Sequence, residues 1–209
     1  MVRITGGTWR GRRLDVPDGI RPTTELVRKA AFDILGDAIR GARVLDACSG
    51  SGAYGLEALS RGAAHATFVE ADRKVVEVLR GNVERLGAGE RSIVNEVSVA
   101  RFSSKMNERG ARAAAPRASG REGAPQPYSP SKNFAEPNRR RDDAGFDVIF
   151  HDPPFEADSE SDLGLLLLLV RGGGWLFHER GDDRWLTPGG VAPADRRRYG
   201  HARFLIYRP

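Results

Sequence analysis

Residues 44–59, Val-Leu-Asp-Ala-Cys-Ser-Gly-Ser-Gly-Ala-Tyr-Gly-Leu-Glu-Ala-Leu, constrain this chain more than any other stretch. A short apolar run reads as a buried strand, then comes a glycine-rich turn, then a helical pattern. Gly50 and Gly52 let the backbone bend sharply and let a ligand approach bare main chain. The helix that follows presents unpaired N–H groups at its start. The spacing Gly50-x-Gly52-x-x-Gly55 matches the dinucleotide fingerprint, a weak signal by itself and one that a ligand-free strand–helix turn also satisfies. Asp46 and Ser49 point to a different ligand. A carboxylate at the mouth of the loop repels a pyrophosphate. It suits a cofactor that carries an ammonium or sulfonium group and no phosphate, and S-adenosylmethionine (SAM) meets that description.

Strand and helix patterns alternate along the rest of the chain. Pro22-Thr23-Thr24 starts a helix that either threonine can cap, with Val27, Ala30, Ala31, Ile34, Leu35 and Ala38 at helical spacing. The loop strand (43–48) and its helix (53–61) follow. A second strand (66–70) ends in Glu70, placed to accept both hydroxyls of a ribose. A helix over 72–86 and a strand over 92–97 come next. Residues 103–145 are rich in Arg, Ala, Ser, Gly and Pro and read as a disordered or loop insertion whose first part, 104–115, forms a short helix. Order returns with a strand over 146–150, a leucine-rich helix over 160–171, a Gly172–Gly174 turn, a strand over 175–179, and a terminal strand from Tyr199 to Tyr207 turning at Gly200. Such alternation predicts a mostly parallel α/β sheet covered on both faces. Its ligands sit beyond the carboxyl ends of the strands, which places Asp46, Glu70 and Asp152 on one rim.

The net charge is +5, from 33 Lys and Arg against 28 Asp and Glu, and part of the excess sits at the start. Residues 1–22 predict a small basic hairpin outside the main sheet, with Arg3, Trp9, Arg10, Arg12 and Arg13 suited to phosphates and to stacking on bases. Arg21 and Arg28 flank the first helix and meet RNA phosphate or water. A solvated basic surface is the plainer reading of the same charges. The single cysteine, Cys48, rules out an internal disulfide and a cysteine metal cluster. It reads as packing, not as a nucleophile. The histidines lack metal-ligand spacing, so no metal site is expected. The longest apolar run, Leu165–Val170, is too short to span a bilayer, and no signal-peptide pattern opens the chain. A soluble, cytoplasmic monomer is expected.

Asp152-Pro153-Pro154-Phe155 is the more specific motif. Two prolines after a strand lock the backbone and remove two N–H donors. A carboxylate and a carbonyl then project from a rigid turn beside an aromatic ring. A planar base with an exocyclic amine fits there, its ring on Phe155 and its amine hydrogens on Asp152 and a backbone carbonyl. Holding those hydrogens off-plane favours a pyramidal nitrogen with its lone pair aimed at a methyl donor. An Asp-Pro-Pro turn with a purely structural role is the alternative.

Taken together, these residues resemble a class I SAM-dependent methyltransferase, and more closely the bacterial RsmD-type 16S ribosomal RNA guanine-N2 methyltransferases. The resemblance runs through Arg3-Ile4-x-Gly6-Gly7-x-x-Arg10-Gly11-Arg12-x-Leu14 and Arg21-Pro22-Thr23-Thr24-x-x-Val27-Arg28. It continues through Leu45-Asp46-x-x-Ser49-Gly50-Ser51-Gly52-Ala53-x-Gly55-Leu56-Glu57-Ala58-Leu59-Ser60-Arg61-Gly62-Ala63, Val69-Glu70-x-Asp72-Arg73, Asp152–Phe155 and Arg198-Tyr199-Gly200. It covers about residues 2–100 and 146–208. It implies a Rossmann-like seven-stranded sheet with the last strand antiparallel, over residues 23–209, and an N-terminal hairpin gripping RNA. It implies SAM held by Asp46, Ser49, Gly50, Ser51, Gly52, Glu70, Ala71 and Glu96, the last beside Val97 where many relatives carry an adenine contact. It implies Asp152, Pro153, Pro154 and Phe155 around the target guanine, and 16S RNA in a small-subunit assembly particle as partner. Other readings keep part of this: an N-methyltransferase of DNA adenine or protein glutamine, whose members more often carry Asn at the Asp152 position, or an RNA-binding relative without catalysis. A nicotinamide oxidoreductase is more distant, since Asp-Pro-Pro-Phe has no role in hydride transfer.

Overall fold

The computed structural model describes residues 2–19, 24–114, 145–154 and 160–209. Phe155 and Arg21, and the expected insertion beyond residue 114, lie outside the described residues. The main sheet has seven strands in the order β5-β4-β3-β6-β7-β9-β8. These are β3 (Arg43–Ala47), β4 (His65–Glu70), β5 (Ser92–Glu96), β6 (Phe146–His151), β7 (Val170–Arg180), β8 (Asp195–Tyr199) and β9 (Ala202–Tyr207). The first five run parallel; β9, last in the chain, runs antiparallel to both β7 and β8. A separate two-stranded hairpin pairs β1 (Val2–Arg3) with β2 (Arg13–Leu14).

Alternation along each strand builds two cores. Val44, Phe68, Phe150, Phe177 and Phe204 face α1 (Glu25–Leu35), α2 (Ala53–Ser60) and α3 (Arg73–Arg85). Leu45, Val69, Ile149, Leu176 and Leu205 face α4 (Val99–Ala114) and α5 (Glu160–Leu167). Helices on both faces leave the parallel strands buried twice over, which is why they read as continuous apolar runs. Thr24 caps α1, its hydroxyl accepting from Val27 N–H, and Asp72 caps α3 by accepting from Lys74 N–H at 2.8 Å.

Three expectations need correction. The short helix expected over 104–115 is present but starts earlier: α4 begins at Val99 and turns Val99, Phe102, Ser103 and Met106 inward. The polar Ser103 in that stripe hides the helical period. The leucine-rich helix ends at Leu167, and the glycines at 172–174 are not a turn between elements. They lie inside β7, where Phe146 pairs Val170 but Val148 pairs Trp175, so the strand carries an irregular insertion. The terminal strand is a hairpin: β8 is the charged arm Asp-Arg-Arg-Arg-Tyr at the sheet edge, where charge prevents further pairing.

The N-terminal hairpin is stitched to the end of α2. Thr8 N–H donates to the Ser60 carbonyl at 2.8 Å and Trp9 N–H to the Ser60 hydroxyl at 2.9 Å. Gly7 allows this approach: its φ is +75°, and a Cβ there would stand 1.8 Å from the Ser60 oxygen. Beneath it Glu57, fully buried, accepts from Thr5 N–H (2.7 Å), Arg61 Nε (2.8 Å) and Arg28 Nε (3.4 Å). Arg28 also donates to the Arg3 carbonyl. The reading of Arg28 as an RNA contact is therefore overturned: the side chain has no exposure and joins α1 to α2 and the hairpin.

Candidate active site

The carboxyl ends of β3, β4, β6 and β7 open into a cavity of about 850 Å³. The glycine loop forms one wall. Asp46 at the end of β3 is buried and accepts the Gly55 N–H at 2.8 Å, so it holds the first turn of α2 while facing the cavity. Burial pushes its carboxyl well above the usual range, against the pull of the Gly55 N–H, and the Asp152 and Glu70 charges push it further. Ser49 pins the loop to β4, its hydroxyl receiving the Val69 N–H at 2.9 Å. Cys48 takes a φ of +62° at this bend, and burial together with the Glu70 charge raises its thiol far above a reactive range, consistent with packing.

Glu70 is fixed by three backbone N–H groups: Gly50 on one oxygen at 3.0 Å, Ala71 and Asp72 on the other at 2.8 and 3.0 Å. The carboxylate is thus aimed before any ligand arrives. Gly50 lines the cavity and a Cβ there would meet no atom within 4 Å of it, so its value is the φ of +53°. Gly52 has another role than the expected ligand approach. It does not line the cavity; its Cβ would stand 2.4 Å from Leu79 Cδ1, and that of Gly55 would stand 2.3 Å from Phe68. These two glycines let α2 lie close on β4 and α3. Ser51 and Ala71 both line the cavity.

Glu96 is a further correction. It ends β5 in register with Glu70 but does not line the cavity, and its nearest charge is Arg80 at 3.9 Å. Val97, Ser98 and Val99 take the wall expected of it, opposite Val75. The wall is built by the residues after β5, which ends at Glu96, as the chain turns into α4.

Asp152, Pro153 and Pro154 continue β6 onto the rim, the Asp152 N–H reaching the Ala47 carbonyl at 3.4 Å. The structure thus brings Asp46, Glu70 and Asp152 to one cavity. Sequence reasoning did not foresee three other contributors. Tyr54, on the first turn of α2, lies stacked on Phe150 with centroids 4.5 Å apart and donates its hydroxyl to Glu179 at 3.0 Å. Glu179, on β7, is 4% exposed and lines the cavity. Burial, then the Glu179 carboxylate, raises the Tyr54 phenol, so it stays a donor. The third is the strap after β2: Val16, Asp18 and Gly19 line the cavity too. Asn82, fully buried on α3, anchors that strap by exchanging hydrogen bonds with Asp15 at 2.9 Å and donating to the Ser51 carbonyl at 2.9 Å. The only hint in the sequence was that Glu179 ends a strand beside the Asp152 strand.

Seven carboxylates line this cavity (Asp18, Asp46, Glu70, Asp72, Asp152, Asp162 and Glu179), and among the described residues no Lys or Arg does. The hairpin is the reverse: Arg3, Arg10, Arg12 and Arg13 are exposed, and Trp9 is half-buried with the Arg91 guanidinium 5.4 Å from its ring. Among the described residues no helix is long and apolar enough to cross a membrane.

The family model described as conserved hypothetical protein 95 matches residues 2–113, which is half of the chain or more. The chain belongs to this family. The match runs from the hairpin through the glycine loop and Glu70 into α4. A relative in Escherichia coli, ribosomal RNA small subunit methyltransferase D, is 49% identical over 106 residues, 50% of this chain and 54% of its own length. The chain thus spans about half the length of that curated relative. A solved structure of a hypothetical protein from Thermus thermophilus superposes over 100% of both chains with a TM-score of 0.75 and 31% identity. An RNA methyltransferase from Salinibacter ruber, solved with S-adenosyl-L-homocysteine, shares the fold with a TM-score of 0.58 at 12% identity, over 90% of this chain and 92% of its own. This chain thus shares that fold, a seven-stranded mostly parallel sheet, and carries a two-stranded hairpin in front of it.

Proposed function

We propose that this protein transfers a methyl group from SAM to the exocyclic N2 of a guanine in 16S ribosomal RNA. One observation carries the reading: a cavity lined by carboxylates and by no cationic side chain among the described residues joins a preset glycine loop to an Asp-Pro-Pro rim. Phosphate-bearing cofactors are disfavoured there by charge, and a cationic nucleoside is favoured. The residues fit SAM. Glu70, already oriented by three N–H groups, still offers lone pairs to a ribose diol. Val75, Val97 and Val99 offer an apolar slot for a purine ring, and Asp46 a carboxyl near the loop whose ionised form a bound cation favours. The likeness to ribosomal RNA small subunit methyltransferase D supports the RNA class, and the fold shared with an RNA methyltransferase holding S-adenosyl-L-homocysteine supports the cofactor.

When bound, SAM supplies a methyl carbon activated by its sulfonium. The chain supplies position and charge. Asp152 accepts a hydrogen from the target amine, and the proline turn holds that carboxylate still and contributes no competing N–H donor at Pro153 or Pro154. Positioning of this kind can supply about 7–11 kcal/mol of the barrier. Asp152, or water beyond it, takes the amine proton after transfer. The exposed arginines at 3, 10, 12 and 13 hold RNA phosphates outside the cavity, and the guanine leaves its stack to enter. The expected setting is the bacterial cytoplasm, on a small-subunit assembly particle, with the protein acting as a monomer.

The test is incubation with methyl-labelled SAM and small-subunit particles lacking their guanine-N2 methyl groups, followed by nucleoside analysis. Labelled N2-methylguanosine at one position is expected. SAM binding with label on another nucleoside would overturn the guanine assignment; absence of SAM binding would overturn the cofactor.

A further inference from the structure

We propose that Glu179, held by Tyr54, is the residue that selects guanine, accepting the ring N1–H of the target base while Asp152 holds its amine. The proposal rests on the methyltransferase reading above and names how that site tells bases apart.

The sheet puts the two carboxylates side by side. β6 and β7 are parallel, with Phe150 opposite Phe177 and His151 opposite His178. One residue further along each strand stand Asp152 and Glu179, on the face already shared by Phe150 and Phe177, and both line the cavity. Asp152 lies one residue past the end of β6, and the backbones of neighbouring strands run about 4.8 Å apart.

Glu179 is also oriented. The Tyr54 hydroxyl donates to its Oε2 at 3.0 Å, and the Tyr54 ring cannot wander: it is 3% exposed and lies nearly parallel to Phe150, at 13°. A carboxylate has about four lone-pair sites, so the single hydrogen bond from Tyr54 does not by itself exhaust it. An aimed acceptor therefore borders the cavity next to the residue that takes the amine.

Base chemistry completes the argument. Guanine alone among the four RNA bases carries a ring N–H directly beside an exocyclic amine. Two adjacent carboxylates match that row of donors. Adenine and cytosine put a ring nitrogen lone pair beside their amine, which a carboxylate repels. Uracil has a ring N–H but no amine to methylate. A site built to hydrogen-bond a group rejects analogues lacking it by factors of about 10⁴–10⁵.

The decisive probe is 2-aminopurine, which keeps the N2 amine but has a lone pair at N1. Once the methylated guanine is located, small-subunit RNA is ligated with guanine or 2-aminopurine at that position, and kcat/KM is measured on both. Wild type should prefer guanine by about 10³-fold or more. Glu179→Gln, whose amide N–H can donate to the N1 lone pair, should shrink that preference at least about tenfold. Tyr54→Phe keeps the carboxylate but loosens it, and should shrink the preference less. Calorimetry with SAM checks that each variant keeps its cofactor site. If Glu179→Gln binds SAM and lowers both rates equally, or if it fails to fold and Tyr54→Phe leaves the preference intact, the inference is overturned. Wild type that methylates no guanine sinks the reading beneath it instead, and the two failures cannot be confused.

Discussion

The hairpin and the cavity carry opposite charge within one chain. Arg3, Arg10, Arg12 and Arg13 project from the first, while the second is walled by seven carboxylates. A net charge of +5 conceals this division. Under the proposed function, the difference assigns each part of an RNA to a place. Phosphates are drawn to the hairpin and kept from the cavity, whereas a cationic cofactor is drawn in. A neutral base, unlike a phosphate, is not repelled by the cavity. The two regions are also joined physically, by the Asp15–Gly19 strap that reaches the cavity and by Glu57 beneath the hairpin.

The sharpest way to separate them acts on the cavity alone. Asp152→Ala should lower kcat for methyl transfer by about 10²–10⁴-fold, the range for a positioned proton-accepting group. SAM affinity by calorimetry should change little, and RNA affinity by filter binding not at all. Full turnover in this variant would remove Asp152 from its assigned role.

Glu57→Ala attacks the joint. It leaves the Arg28 charge buried without its carboxylate, and Arg28 Nη1 already has no hydrogen-bond partner among the described residues. Breaking a buried pair from one side costs about 3–5 kcal/mol. Urea unfolding should show that loss as one transition, because hairpin and α2 share the residue. Two separated transitions would show instead that the hairpin folds apart from the sheet.

Much of this was legible beforehand, and the limits follow the range of each signal. The glycine loop, Glu70 and Asp152 announce themselves because each is a local pattern: a turn, a strand end, a proline pair. Arg28 misled because an arginine near a helix start looks solvated; only the fold brings Glu57, on α2, against it. Glu96 misled because the cavity wall begins only past the end of β5, at Val97. Tyr54 and Glu179 are 125 residues apart, and nothing local in either predicts their hydrogen bond. The first turns of α4 escaped, though its later part was expected, because its inner stripe includes the polar Ser103.

On the hairpin, Arg10→Ala with Arg13→Ala should weaken RNA binding about tenfold near physiological salt and leave SAM affinity unchanged. The salt dependence should move too: losing two phosphate contacts flattens the slope of log K against log salt by about 1.4–1.8. An unchanged slope would place the phosphate contacts elsewhere and dissolve the comparison on its basic side.

The smallest effect tests the acidic side by pH. Burial raises the Asp46 carboxyl well above its ordinary value, with the Asp152 and Glu70 charges adding to the rise. In the free protein, ionising Asp46 is therefore costly, and its contribution opposes folding increasingly as pH rises from the unfolded value through the folded one. A cationic ligand reverses the preference: it favours the ionised form, so SAM binding should release a proton where Asp46 is still protonated. SAM affinity should accordingly fall as pH drops below the raised value, by at most about tenfold per pH unit for one linked proton. RNA binding through arginines should stay flat over the same range, since guanidinium keeps its charge. Asp46→Asn keeps an oxygen for the Gly55 N–H and removes the titration, so its SAM affinity should be weaker and should lose the part of the pH dependence due to this group. If wild type and Asp46→Asn bind SAM with the same pH profile, the carboxylate that first set this loop apart from a dinucleotide site is a structural clasp for α2, and the cavity attracts its cation through Glu70, Asp152 and their neighbours alone.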